Sequence, residues 1–133
     1  IIARTDARTQ LGLDEALRRA ESYLAAGADA LFVESPETED ELRQIAAAFK
    51  GVPLVANMVA GGRTPMLPDQ TLFELGFQIV IHPTYLLGAL TSGLEQGLAE
   101  LVATGQESIE IAQFDRLNHW VDFEAIWALD EEV

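Results

Sequence analysis

The feature that most constrains the fold is a repeat of four short apolar runs along the chain. The runs start at residues 1, 28, 52 and 77, so successive starts are 27, 24 and 25 residues apart. A helical pattern follows each run, as at Leu13, Leu17, Ala20 and Leu24, which share one helix face. Parallel strands need such a crossover, so the repeat predicts an α/β fold with a parallel sheet.

Residues with special backbone roles support the predicted helix ends. Gly27, Gly76 and Gly105 follow helical stretches and can adopt the left-handed backbone that ends a helix. Thr38 and Glu41 have the spacing of a capping box, which predicts a helix start. The fourth unit is predicted to carry a longer helix over about residues 84–104.

Composition excludes several classes of partner. The 133 residues include 22 acidic and 8 basic ones, a formal charge of −14, so neither nucleic acid nor a membrane surface is a predicted partner. The chain has no apolar run of membrane-spanning length and no signal-peptide pattern, so we expect a cytoplasmic protein. Cysteine is absent, which excludes disulfides and Cys-ligated metals. An anionic ligand would depend on a few arginines, helix N-termini and backbone N–H groups.

Polar residues follow the apolar runs at one place in each unit. Arg4 with Asp6, then Glu34, Asn57 and His82, each come at the end of a predicted strand. The carboxyl ends of parallel strands form the functional face of α/β folds. The four strands therefore predict an anion-binding site at one rim.

Each of these residues also has a structural alternative. Arg4 and Asp6 could form an ion pair that only supports a strand end. Glu34 could be a solvent-exposed strand terminus, and Asn57 could be a turn former before the glycine-rich loop. His82 precedes a proline, which disfavours helix there, and it could be packed or solvated.

The loop "AGGRTP" at residues 60–65 could bind a phosphate or carboxylate through its backbone N–H groups. Two adjacent glycines are a weak signal outside a full phosphate-loop pattern, and Arg63 is interpreted as a surface loop residue. His119 is interpreted as part of an amphipathic helix. The sequence has no nucleophile elbow, HExxH motif or dinucleotide fingerprint.

The end of the chain carries an aromatic stripe. We expect residues 1–105 to form the four βα units and residues 106–133 a helical tail, with no second domain. The stripe is too apolar for free solvent and is predicted to pack on a barrel end or a neighbouring subunit. Its members are Phe114, Leu117, Trp120, Phe123 and Trp127.

Four motifs resemble a known family. "IIARTDA", "AGADALFVE", "PLVANMVAGGRTP" and "LGFQIVIHP" follow one another as in the isocitrate lyase/phosphoenolpyruvate mutase superfamily, over residues 1 to about 100. The resemblance implies a TIM-type (β/α)8 barrel, of which this chain matches the second half, strands five to eight. "IIART" resembles the fifth strand, so the chain is expected to be a C-terminal half barrel.

The resemblance also implies a chemistry. Members cleave or form C–C or P–C bonds next to a carboxylate, with Mg²⁺ holding an α-keto acid or enolate. By resemblance, Arg4 binds a substrate carboxylate or phosphonate, Glu34 lies near the metal's water shell, and Asn57 hydrogen-bonds the substrate. His82 is implied as a catalytic residue of a decarboxylase-like member. The implied substrate is a di- or tricarboxylate or 2-oxo acid, and the motifs look closest to the oxaloacetate decarboxylase and petal-death-type branches.

The departures from the family limit what this chain does alone. The family's metal-binding acids and its mobile Lys-Cys-Gly-His-type loop belong to the first half of the barrel and have no counterpart here. No direct metal ligand is therefore assigned in this chain, and the Mg²⁺ ligands are expected mainly in a missing N-terminal half. The fragment alone is expected to be inactive. A half barrel exposes strand edges, so a homo-oligomer is expected. The alternative is a non-catalytic half-barrel subunit or small-anion binding module.

Overall fold

A computed structural model describes residues 1–107 and 114–131. Their four strands are β1 (Ile2–Thr5), β2 (Ala30–Val33), β3 (Val55–Asn57) and β4 (Ile79–Ile81). Their helices are α1 (Arg8–Leu11), α2 (Leu13–Ala25), α3 (Glu39–Ala48), α4 (Asp69–Leu75), α5 (Tyr85–Thr104), α6 (Phe114–Trp120) and α7 (Phe123–Glu131). The chain divides into two compact units, Ile1–Leu86 and Leu87–Val133.

The strands of the first unit pair in parallel. β1 pairs with β2, and β3 pairs with β4. A parallel bridge between Leu31 and Leu54 joins the two pairs, and the Leu31 N–H donates to the Pro53 carbonyl oxygen at 2.9 Å. The prediction of an α/β fold with parallel strands is confirmed. Each strand is shorter than the apolar run that predicted it.

The core of the first unit lies between these strands and the helices that follow them. Helix α2 contributes the small side chains Ala16 and Ala20, both at most 1% exposed, which let the helix approach the strands closely. The largest side chains that are fully buried come from β2, from the two residues that flank β3, from α3 and from α4. They are Leu31, Leu42, Ile45, Leu54, Met58 and Leu72.

The predicted helix ends are present. Gly27 and Gly76 have positive φ angles of 98° and 116°. Thr38 caps α3, since its Oγ1 accepts the Glu41 N–H at 3.1 Å. The second half of the capping box differs, because the Glu41 carboxylate accepts the Glu37 N–H at 2.7 Å instead of the Thr38 N–H. Helix α1 was not indicated by the periodicity.

A mostly buried ion pair joins the segment after β1 to the segment after β2. Arg8 donates from Nε and Nη2 to both Glu41 carboxylate oxygens at 2.8 and 2.6 Å, and its Nη1 lies 3.0 Å from Glu37 Oε1. The side chains of Arg8 and Glu41 are 16% and 15% exposed. Hydrogen bonding to Arg8 lowers the pKa of the Glu41 carboxyl. The pair therefore fixes the loop that carries Glu34 relative to the one that carries Asp6.

The second unit contains two separate helices where the sequence shows one aromatic stripe. Asp122 has a φ of 54°, a left-handed backbone that separates α6 from α7. In α7 the rings of Phe123 and Trp127 are 5.5 Å apart. The predicted packing of the stripe, and the predicted boundary at residue 105, stay predictions. In the described part of the chain, no helix combines the length and apolarity needed to cross a bilayer.

We predict that Glu41→Gln lowers the free energy of unfolding by about 1–3 kcal/mol at pH 7, because a charge-assisted bidentate contact is lost. Since Arg8 lowers the Glu41 pKa, this stabilisation is present above the ordinary value of 4.5 and is lost as pH falls through the lowered pKa. Urea unfolding at pH 7 and pH 3 measures both effects, and the difference in free energy of unfolding between the native protein and the variant should be smaller at pH 3 than at pH 7.

The matched control is Glu39→Gln, which removes the partner of Arg43 in an exposed pair of the same helix. Such exposed pairs contribute about 0–1 kcal/mol. Equal losses in the two variants would contradict the assignment of Arg8 and Glu41 as the stabilising link.

Candidate functional site

Three of the four predicted site residues meet at the carboxyl ends of the strands. Arg4 Nη2 lies 3.6 Å from Glu34 Oε2. The Asn57 amide Nδ2 lies 3.5 and 3.4 Å from the two Glu34 carboxylate oxygens. The register of β1 on β2 places Thr5 beside Val33, so Arg4 and Glu34 emerge at the same edge. Parallel pairing thus brings Arg4, Glu34 and Asn57 together.

Arg4 is oriented by two neighbours. Asp6 accepts from its Nε at 3.1 and 3.2 Å and from its Nη2 at 2.6 Å. The guanidinium carbon lies 4.8 Å from the centre of the Phe32 ring. The hydrogen bond to Asp6 raises the pKa of Arg4 and lowers that of the Asp6 carboxyl. The structural ion pair foreseen as an alternative is therefore present, and it holds a half-exposed cation beside Glu34.

Glu34 is held at the base of a strained turn. Its side chain is 18% exposed, and its backbone N–H donates to the Thr5 carbonyl oxygen at 3.0 Å. The next residue, Ser35, has a φ of 58°, which is uncommon for a residue with a Cβ. Its Oγ donates to Glu34 Oε1 at 3.2 Å. Such strain collects at functional sites, and no local pattern in the sequence indicated it here.

Asn57 presents a buried acceptor without a partner. Its Nδ2 donates towards the Glu34 carboxylate, which sets the orientation of the amide. Its Oδ1 is buried and accepts no hydrogen bond from the described residues. An unsatisfied buried polar group costs about 1–3 kcal/mol. A ligand hydroxyl or a water that donates to Oδ1 would remove that cost.

An open cavity of about 250 Å³ adjoins these groups. The loop after β3 forms one part of it: Gly61 has a φ of 76°, and the Gly62 N–H donates to the Val59 carbonyl oxygen at 2.9 Å. Arg63 is exposed, as expected of a loop residue, but it also lines the cavity, which the sequence interpretation missed. The lining residues are Glu34, Ser35, Asn57, Val59, Gly62, Arg63 and Thr64.

His82 has a different set of contacts. Its Nε2 lies 3.0 Å from Oδ1 of Asp69, the first residue of α4. Among the described residues its side chain forms no hydrogen bond with Arg4, Glu34 or Asn57. A catalytic role for His82 stays a prediction.

The carboxylates present do not make a metal site by themselves. Within residues 1–107 and 114–131, no three His, Cys, Asp or Glu side chains lie close enough to hold a metal ion. Glu34 is the one carboxylate that lines the cavity in this part of the chain, and Asn57 and Arg4 already contact it. Mg²⁺ requires near-octahedral oxygen coordination. The described donor set does not fit a directly bound Mg²⁺.

Comparison with known families identifies the chain. The family model for phosphoenolpyruvate phosphomutase matches residues 1–102. The chain belongs to this family. The predicted membership of the isocitrate lyase/phosphoenolpyruvate mutase superfamily is thereby confirmed.

Curated relatives match over most of this chain. The chain is 50% identical to 2,3-dimethylmalate lyase of Eubacterium barkeri over 94 residues, which are 71% of this chain and 32% of that protein. It is 38% identical to 2-methylisocitrate lyase of Bacillus subtilis (strain 168) over 133 residues, 95% of this chain and 44% of that protein. The chain spans less than half the length of these relatives.

Solved structures agree in fold. Oxaloacetate acetylhydrolase in complex with the product oxalate has a TM-score of 0.87 at 25% identity, over 98% of this chain and 46% of that one. A phosphonopyruvate hydrolase complex with oxalate and Mg²⁺ has a TM-score of 0.77 at 27% identity, over 98% and 47%. These neighbours are of the TIM-barrel type, in agreement with the expected fold family.

We predict that Ser35 tolerates glycine but not a β-branched residue. Ser35→Gly should change the free energy of unfolding by less than about 1 kcal/mol, because glycine adopts positive φ freely. Ser35→Val should lower it by about 1–3 kcal/mol, because a β-branched side chain is strained at that φ. Denaturant unfolding measures the free energy of unfolding of both variants. Ser35→Ala measures the contribution of the hydroxyl group by itself. Equal tolerance of Gly and Val would contradict the strained turn.

Proposed function

We propose that this chain supplies the substrate-binding residues of a Mg²⁺-dependent carbon–carbon lyase. The substrate is a 2-oxo or 2-hydroxy dicarboxylate, and the reaction is that of an oxaloacetate decarboxylase or a methylisocitrate-lyase-like enzyme, passing through an enolate. The observation that carries the proposal is the convergence of Arg4, Glu34 and Asn57 at one strand edge beside the cavity.

Arg4 would bind a substrate carboxylate. Its contacts with Asp6 and Glu34 use Nε and Nη2, and no hydrogen bond to a described residue uses Nη1. Asp6 and the Phe32 ring hold the guanidinium in one orientation, which reduces the entropy lost on binding an anion. When the C–C bond breaks, its electron pair passes to the carbonyl oxygen, and a fixed cation nearby stabilises that enolate charge.

Asn57 and Glu34 would orient the reacting end of the substrate. Glu34 holds the Asn57 Nδ2, so the amide offers Oδ1 as an acceptor to a substrate hydroxyl or an ordered water. Because the Ser35 hydroxyl also donates to Glu34, the carboxylate is held from two sides. A substrate bound here would be positioned by groups that need little rearrangement.

The relatives support this substrate class. Two of them are named as lyases of 2,3-dimethylmalate and 2-methylisocitrate, and two related structures contain oxalate. One of those structures also contains Mg²⁺. For this protein we propose that the direct metal ligands and the general acid and base lie outside the described residues. The same proposal places this chain as the second half of the barrel in a homo-oligomer, with His82 as a residue of the decarboxylase-like branch.

We predict that Arg4→Ala lowers kcat/KM by roughly 10- to 150-fold, the equivalent of about 1.5–3 kcal/mol for a charge-assisted contact. The assay uses the protein that carries both halves of the proposed barrel, with Mg²⁺, and measures kcat/KM on oxaloacetate and on 2-methylisocitrate. Arg43→Ala, at an exposed position of α3 that does not line the cavity, is the control and should leave kcat/KM unchanged.

Unchanged kinetics in Arg4→Ala would rule out the role given to Arg4. Failure of the native protein to turn over either acid would contradict the lyase proposal. If calorimetry then showed that the native protein binds these acids without converting them, the small-anion binding module would be the better assignment.

A further inference from the structure

Arg63 differs from most of the arginines by its surroundings. In the described part of the chain, five of the seven arginines form ion pairs with carboxylates: Arg4, Arg8, Arg18, Arg19 and Arg43. Arg63 forms none with a described residue, although the chain has 22 acidic residues and a net charge of −14. Among the described residues it is also the one cationic residue that lines the 250 Å³ cavity.

The glycine pair before Arg63 explains how the loop reaches the cavity. Gly61 has a φ of 76°, a backbone that a residue with a Cβ rarely adopts. A Cβ at Gly62 would lie 3.0 Å from the Val59 carbonyl oxygen, the atom that accepts the Gly62 N–H in this turn. The two glycines therefore permit a tight turn, after which Arg63 and Thr64 both line the cavity.

The order of the strands places Arg4 and the start of the loop that carries Arg63 on two sides of Glu34. Glu34 follows β2, Arg4 lies on β1, and Arg63 lies in the loop after β3, which the Leu31–Leu54 bridge places beside β2. Neighbouring strands are about 4.8 Å apart, so β1 and β3 are separated by about 10 Å. A short dicarboxylate bound over Glu34 would therefore extend from the Arg4 side towards the loop that carries Arg63.

We propose that Arg63 binds the second carboxylate of the substrate and so makes the site select a dicarboxylate over the corresponding monocarboxylate. The inference rests on the proposed function, in which Arg4 binds the first carboxylate. Arg63 is then a specificity-determining residue, and the Gly61–Gly62 turn is the device that presents it.

The experiment compares two 2-hydroxy acids of four carbons, malate and 2-hydroxybutyrate, which differ by one carboxylate in place of a methyl group. Their Kd values are measured by calorimetry on the intact protein and on Arg63→Gln. The variant should bind malate roughly 10- to 150-fold more weakly, the loss of one charge-assisted contact, and bind 2-hydroxybutyrate within about 2-fold of the native protein. Arg63→Lys should recover part of the preference, and Arg43→Gln should change neither Kd.

Two results would overturn the inference alone. One is an unchanged Kd for malate in Arg63→Gln, and the other is an equal loss for both acids, which indicates a disturbed loop. Arg4→Ala separates these results from failure of the proposed function, because this variant should raise the Kd of both acids. If the native protein bound neither acid, or if Arg4→Ala weakened neither, the site itself and the role of Arg63 with it would be wrong.

Discussion

Parallel hydrogen bonding between β1 and β2 is the constraint on which the site depends. Because both strands run in the same direction, their carboxyl ends lie at one edge, and the register sets which side chains meet there. A shift of one residue would turn every side chain of β1 to the other face. Arg4 would then leave the side on which Glu34 lies. The buried Leu31, which bridges to Leu54, extends the same alignment to β3 and brings Asn57 to the edge.

The site at this edge is a network of polar side chains that orient one another. Asp6 orients Arg4, Arg4 and Asn57 contact Glu34, and Ser35 donates to Glu34 from a left-handed backbone. Each group therefore has a neighbour that limits its movement, which is what preorganised binding of an anion requires. Within the described residues, the buried Asn57 Oδ1 is the atom of this network that has no hydrogen-bond partner.

Contacts outside the site hold the segments that carry its residues. Arg8 reaches Glu41 and Glu37, so the segment after β1 and the segment after β2 cannot move independently. The strain at Ser35 is sustained because the residues on either side are held, Glu34 by the Thr5 carbonyl and the start of α3 by the Thr38 cap. A strained turn of this kind persists only where its surroundings over-determine it.

The sequence alone determined the parallel α/β fold, the helix ends at Thr38, Gly27 and Gly76, and the set of strand-end residues that includes Arg4, Glu34 and Asn57. These follow from periodicity and backbone preference, which are local properties. The motifs also determined the superfamily, as the family match confirms.

Only the tertiary structure decided which of those residues meet. It joined Arg4, Glu34 and Asn57, paired His82 with Asp69, and paired Arg8 with Glu41 across 33 positions of sequence. It also turned Arg63 towards the cavity and divided the aromatic stripe at Asp122. The pairings between side chains depend on strand register and loop closure, which bring distant residues together and leave no periodic signal in the chain.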